Sequence, residues 1–236
     1  MLITWTEELK QLDAAADLDA LQTEARHTET VWRFEAERIS RLRKHAAPKL
    51  AAAVTQAMQL LGMSGGRFEV AVSAASEAQS HGLDLIEFRV AGHAGSTPRP
   101  LAKVASGGEL SRLALAIAVT TAQPSGSTAA TPTLIFDEVD AGVGGAVADS
   151  VGRLMKQLGR SAQVLAVTHL AQVAACADGH FVVSKALRGK QTLSEIHGVE
   201  GEARVAEIAR MLGGEKLSGM AHAQALLSPA RKEQRS

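Results

Sequence analysis

Thr133-Leu134-Ile135-Phe136-Asp137-Glu138-Val139-Asp140-Ala141-Gly142 is the stretch on which the reading of this chain turns. Its first four residues are largely apolar and run straight into two carboxylates. A strand of a parallel sheet, covered on both faces, reads as such an unbroken apolar run. In open α/β sheets, ligands sit beyond the carboxyl ends of the strands. Asp137 and Glu138 would then emerge at a ligand-binding edge. A strand that merely ends in two solvated acids has the same pattern, so the run alone leaves both readings open.

Downstream, the pattern predicts a helix over 145–158, a strand over 163–168, a short helix over 170–177, strands over 180–185 and 192–198, and a helix over 202–212. Alternation of this kind implies an α/β fold with a mostly parallel sheet flanked by helices. Upstream lie a helix over 109–121 between two polar loops, 92–100 and 123–132, and two strands over 67–72 and 83–90. Adjacent Leu85 and Ile86 break the alternation of the second strand. Before the glycine-rich break at 62–66, Leu18, Leu21, Ala25, Thr28, Trp32, Glu35, Ile39, Leu42 and Ala46 alternate spacings of three and four, a heptad seam. Trp5, Leu9, Leu12 and Ala16 keep the rhythm one residue out of phase, which predicts a turn near residues 17–19. An amphipathic helix packed on a domain would show a similar stripe. The expected organisation is a helical coiled-coil arm over 1–61 and an α/β lobe over 62–236.

Three further sites carry chemistry. Val104-Ala105-Ser106-Gly107-Gly108-Glu109-Leu110-Ser111-Arg112 sets a serine and two glycines before an apolar helix. Free backbone N–H groups and the helix dipole can there face an anion, and glycine lets phosphate approach the backbone. Ser106 with Glu109 is also a capping box, which explains those two positions but not both glycines. The strand ending at Asp137 has the form of a Walker B element. Asp137 would hold Mg²⁺, mostly through water, and Glu138 would orient the attacking water of a phosphoryl transfer. Asp140-Ala141-Gly142 has the form of a D-loop, and His169 stands at the end of the next strand, where a switch histidine facing a γ-phosphate would be needed.

Bulk properties narrow the class. The chain has 236 residues, of which 46% are hydrophobic and 21% charged, enough for a buried core. Lys plus Arg and Asp plus Glu both number 25, so no whole-chain charge draws it to nucleic acid. Aromatics are 3% with no tyrosine, which argues against a base-stacking platform. Cys176 is the single cysteine and is expected in a core, with no internal disulfide to make. The N-terminal stretch carries Glu7 and Glu8, and the longest apolar run, 113–119, is far short of a bilayer span. A cytoplasmic chain with no membrane partner is expected.

Signature, Walker B, D-loop and switch histidine occur in the order found in ABC-type ATPases. The wording of 136–145, of Val167-Thr168-His169-Leu170-Ala171-Gln172-Val173-Ala174 and of Glu207-Ile208-Ala209-Arg210-Met211-Leu212-Gly213-Gly214 resembles the RecN branch of the SMC-like ATPases. The resemblance runs from the helical N-terminus through at least His222. It implies a DNA double-strand-break repair and recombination role, with ATP and Mg²⁺ as cofactors. ATP would be sandwiched between two heads of a homodimer, with DNA as a partner and a nucleoid-associated location. Ser106, Gly107, Gly108 and Glu109 would serve the nucleotide of the opposite head; Asp137, Glu138 and His169 would serve their own. The sequence has no G-x-x-x-x-G-K-[ST] loop; its only Gly-Lys pair, Gly189-Lys190, is followed by Gln191. The resemblance therefore implies a separate N-terminal lobe carrying Walker A, with Met1 falling in the descending arm. A chain without that lobe is expected to be inactive alone. A non-catalytic dimerisation or interaction fragment, or the C-terminal lobe of another SMC-like ABC ATPase, are the competing readings.

Overall fold

A computed structural model of the chain describes residues 2–15, 18–103, 106–122, 132–188, 191–213 and 217–233. Val104, Ala105, most of the expected polar loop (123–131), Gly189 and Lys190 lie outside the described residues, as do Ala16 and Asp17 at the expected turn. The elements are α1 (Leu2–Ala15), α2 (Leu18–Leu60), β1 (Arg67–Gln79), β2 (Gly82–Ala91), β3 (Arg99–Pro100), α3 (Gly107–Thr121), β4 (Thr133–Phe136), α4 (Gly145–Leu158), β5 (Gln163–Ala166), α5 (Ala171–Cys176), β6 (Phe181–Arg188), β7 (Gln191–Gly198), α6 (Gly201–Met211) and α7 (Leu217–Glu233). Among the described residues no helix is long and apolar enough to cross a membrane.

The chain divides into two compact units. The first takes the chain through Lys49 together with Val70–Glu87. Here α2 buries small side chains, Ala36 and Ala47, while Leu18, Leu21 and Leu42 of the expected heptad seam stay exposed. Trp32, Glu35 and Ile39 of the same seam are half-buried, and the expected arm is described as two helices, α1 and α2. The hairpin side of the unit is tied by Asp84, which is buried and accepts from Ser40 Oγ at 2.5 Å and Arg43 Nη1 at 3.2 Å. Arg43 Nη2 also donates to the His81 carbonyl at 3.0 Å. These donors, Ser40 first, hold the Asp84 carboxyl below the usual carboxylate range although burial opposes them. A depressed carboxyl contributes stability that is full above its unfolded value and is lost as pH falls through the folded value. Below about pH 4, acid unfolding of the wild type should therefore steepen relative to Asp84→Asn. Circular dichroism against pH checks this; superimposable acid limbs would refute it.

The second unit comprises Leu50–Glu69 and Phe88–Ser236. Val54, Met58 and Leu61 are fully buried at the end of α2, and Gln59 closes the turn that follows. Its Oε1 accepts from Gly65 N at 2.8 Å and its Nε2 donates to the Gly66 carbonyl at 3.0 Å. Leu113, Leu115 and Ala116 of α3 and Val151, Met155 and Leu158 of α4 continue the core. A second cluster joins Ala171, Ala174 and Ala175 of α5 to Ile208 and Ala209 of α6 and Ala223 of α7. Cys176 is half-buried rather than deep in the core, and packs on Gly152, where an added Cβ would come within 2.7 Å of its Sγ.

The expected mostly parallel sheet is not what forms. The described strands make three small sheets, ordered β1-β2-β3, β4-β5 and β6-β7, a mixed α/β topology. Only β4 and β5 are parallel, in the register Thr133↔Gln163 to Phe136↔Ala166, because α4 carries the chain across between them. No helix intervenes between β6 and β7, so they pair antiparallel from Phe181↔Gly198 to Arg188↔Gln191. In β2 both Leu85 and Ile86 are exposed, so the alternation does slip there.

Candidate functional site

The parallel pair β4-β5 sets the site. Val167 N–H donates to the Phe136 carbonyl at 3.0 Å, extending the pairing one step past the strands. Asp137-Glu138 and Thr168-His169 therefore leave adjacent strands at the same edge. The chain after β4 turns at once: Ala141 N–H donates to the Glu138 carbonyl at 3.0 Å and Val143 N–H to the Asp140 carbonyl at 3.3 Å. Glu138 takes φ 55°, in the left-handed region that non-glycine residues rarely occupy. Such a conformation persists only when the surroundings impose it. Val139, fully buried, anchors the turn, and Asp137 and Glu138 remain exposed. Asp137 Oδ1 accepts from Glu138 N at 2.9 Å.

The first turn of α3 packs on that turn. Ser106 is the N-cap, and its Oγ accepts from Glu109 N at a long 3.4 Å. The Glu109 carboxylate lies beside Gly92, within 3.7 Å of where a Cβ would stand. A Cβ on Gly107 would meet Glu138 Oε2 at 2.7 Å. On buried Gly108 it would meet Ala141 Cβ at 3.0 Å and the Glu138 carbonyl at 3.2 Å. Close packing within the chain thus accounts for Gly108, independently of any ligand. Ser111 Oγ donates to the Asp137 carbonyl at 2.7 Å, and Arg112 Nη1 to the Ala141 carbonyl at 2.8 Å. Arg112 is buried, and desolvation pushes its guanidinium below the usual arginine value, with Glu109 acting the other way.

The turn after β5 is held from the other side. Asp140 is 3% exposed, and its Oδ2 accepts from Thr168 Oγ1 at 2.5 Å and His169 N at 3.0 Å. His169 Nδ1 stands 3.3 Å from the same oxygen, with its side chain 72% exposed. Ala141 and Gly142 are exposed. Among the described residues no three His, Cys, Asp or Glu side chains are grouped to hold a metal. Mg²⁺ commonly keeps several waters and takes only one or two carboxylates beside phosphate oxygens, so a single exposed Asp137 fits that ion.

No family model matches the sequence. Three curated proteins described as DNA repair protein RecN do align with nearly all of it. The one from Mycobacterium leprae is 42% identical over 250 positions, covering 96% of this chain and 42% of that protein. The one from Xylella fastidiosa strain Temecula1 is 42% identical over 221 residues, covering 93% and 39%. The one from Vibrio cholerae is 39% identical over 228 residues, covering 95% and 40%. Over the length it spans, the chain is RecN-like. That length is about two fifths of these relatives.

Solved structures give the RecN-like chain its fold. The Smc head domain with coiled coil and joint from Pyrococcus yayanosii matches 86% of this chain and 37% of its own, with TM-score 0.54 and 20% identity. An Smc head from Pyrococcus furiosus with an extended coiled coil, bound to the C-terminal domain of ScpA, covers 86% and 48% with TM-score 0.51 and 18% identity. The fold is that of the Smc head domain, of mixed α/β topology. Within it the RecN-like chain brings Ser106, Gly107, Gly108, Asp137, Glu138, Asp140 and His169 into one neighbourhood, with Glu109 turned toward Gly92. Sequence reasoning did not single out Ser111, Arg112 or Thr168, which fasten these residues together. Two polar residues at the head of an apolar helix, and a threonine before His169, were the available signals.

Proposed function

We propose that this chain supplies one half of an ATP-dependent head in a DNA double-strand-break repair and recombination protein. The observation that carries the reading is the junction of the α3 N-terminus with the carboxylate edge of β4, made by Ser111, Arg112 and Gly108. Asp137 would hold Mg²⁺, the ion that neutralises phosphate charge when bound, and Glu138 would orient and polarise the attacking water. His169 would face the γ-phosphate. Ser106, Gly107, Gly108 and Glu109 would meet the nucleotide held by a second copy of the head. Asp140, Ala141 and Gly142 form the turn between these two duties. Residues 1–61 would serve as one arm of a coiled coil, and DNA would be engaged by the complete protein.

A separate lobe with a Walker A loop is the required partner. Ile135 and Val167 at β4-β5, and Phe181, Val183 and Ile196 on β6-β7, are all more than 60% exposed. Exposed apolar surface on this scale marks a face that another protein segment covers. Such a lobe would also provide the backbone N–H cradle and lysine that hold the phosphates. The purified chain should accordingly bind ATP weakly and turn over essentially none, and co-expression with a Walker A lobe should restore turnover. Steady-state phosphate release checks this. Robust hydrolysis by the chain alone, abolished by Glu138→Gln, would overturn it; a completed head that binds ATP without hydrolysing it would favour a non-catalytic interaction fragment.

A further inference from the structure

Asp140 differs from its neighbours: its carboxylate is buried while Ala141 and Gly142 are exposed. A buried carboxylate is costly unless donors surround it. The donors here come from the turn after β5, 28 and 29 residues away in sequence. Thr168 Oγ1 donates to Asp140 Oδ2 and itself accepts from Leu170 N at 3.0 Å. His169 gives its backbone N–H to the same Oδ2 at 3.0 Å and sets Nδ1 3.3 Å from it. One carboxylate oxygen thus ties Thr168 and His169 directly and Leu170 through the Thr168 hydroxyl, and the rest of the imidazole is left in the open.

From this geometry we infer that Asp140 is a positioning residue for His169 on the same chain, not a contact that reaches a second copy. Its carboxylate faces Nδ1 and leaves the rest of the ring exposed at the end of β5. A carboxylate facing one ring nitrogen selects the tautomer with the proton on that nitrogen and fixes the ring plane. The backbone bond matters as much. Without Asp140 the His169 N–H is left unsatisfied beside a small cavity, and the turn carrying the ring must rearrange. The functional part of the inference rests on His169 facing the nucleotide; the structural part does not.

Nitrogen-15 NMR of the histidine-labelled 236-residue chain tests it, with the His169 signals assigned by their loss in His169→Gln. Above the histidine titration range the wild type should show His169 protonated at Nδ1. Asp140→Ala should move those signals toward the tautomer mixture of an unconstrained ring, with Asp140→Asn in between because its oxygen still accepts from the backbone N–H. In the head completed by a Walker A lobe, Asp140→Ala should lower kcat by about tenfold or more with KM little changed, and Asp140→Asn should recover part of the loss. An unchanged His169 tautomer in Asp140→Ala overturns the inference. So does an unchanged kcat in Asp140→Ala when His169→Gln is impaired. If Asp140→Ala does not fold, the Asn variant carries the same tautomer test. If His169→Gln turns over normally, the role of His169 in the proposed function fails, and the NMR result still decides that of Asp140.

Discussion

Glu138→Gln, in a head completed by a Walker A lobe, should leave ATP bound and heads paired while turnover falls by about 10²- to 10⁴-fold. Glutamine keeps the length and one acceptor oxygen of the side chain and removes only the charge that polarises water. The backbone argues for the same residue. Glu138 is the one described non-glycine residue with positive φ, held there between fully buried Val139 and the Ala141 N–H bond to its own carbonyl. Strain of this kind costs about 1–3 kcal/mol and is retained where the side chain must project at a set angle. Single-turnover kinetics would show bound nucleotide that is not cleaved, and gel filtration with ATP would show closed heads accumulating. Equal loss of binding and turnover would mean that Glu138 shapes the nucleotide pocket rather than the attacking water.

Much of this site was legible in the sequence because its parts are local. An apolar run ending in Asp137-Glu138, a serine and two glycines opening a helix, and a histidine ending the next strand each declare themselves within a few residues. The helix expected over residues 145–158 forms with those bounds for the same reason: Gly144 and Gly159 punctuate it. Pairing was not legible, since alternation of strands and helices says nothing of which strands meet. The sheet expected to be mostly parallel became one parallel pair and two antiparallel pieces. Nor is α7 among the expected elements: its alanines give little periodicity, yet Ala223 is fully buried against α5 and α6. The heptad seam shows a different limit. Its Leu18, Leu21 and Leu42 stay exposed while Trp32, Glu35 and Ile39 are half-buried beside Ala36, so only the middle of the seam is used within this chain. Side chains that fasten one turn to another, such as Arg112 to Ala141, are invisible until the turns are adjacent.

Because the α3 N-terminus touches its own carboxylate edge, the choice of variant decides whether action in trans can be tested at all. Gly107 is unsuitable: a Cβ there meets Glu138 Oε2 of the same chain at 2.7 Å, so its loss would disturb both composite sites. Gly108 is worse, since its Cβ would meet the Glu138 backbone at 3.2 Å. Ser106 is exposed, caps α3 with only a long hydrogen bond, and makes no hydrogen bond to Glu138 among the described residues. Ser106→Arg puts bulk and a flexible cation where a small hydroxyl and bare backbone would meet phosphate. It should abolish ATP-driven pairing while each completed head still binds nucleotide through its Walker A lobe. Mixed with Glu138→Gln heads, it forms one composite site with intact Glu138 and intact Ser106, so a substantial fraction of the activity of one site should return. Equimolar titration of the two variants, followed by phosphate release, reads this directly. Mixed heads that pair and stay inactive, or a Ser106→Arg head that no longer binds ATP on its own, would place Ser106 in the service of its own head instead.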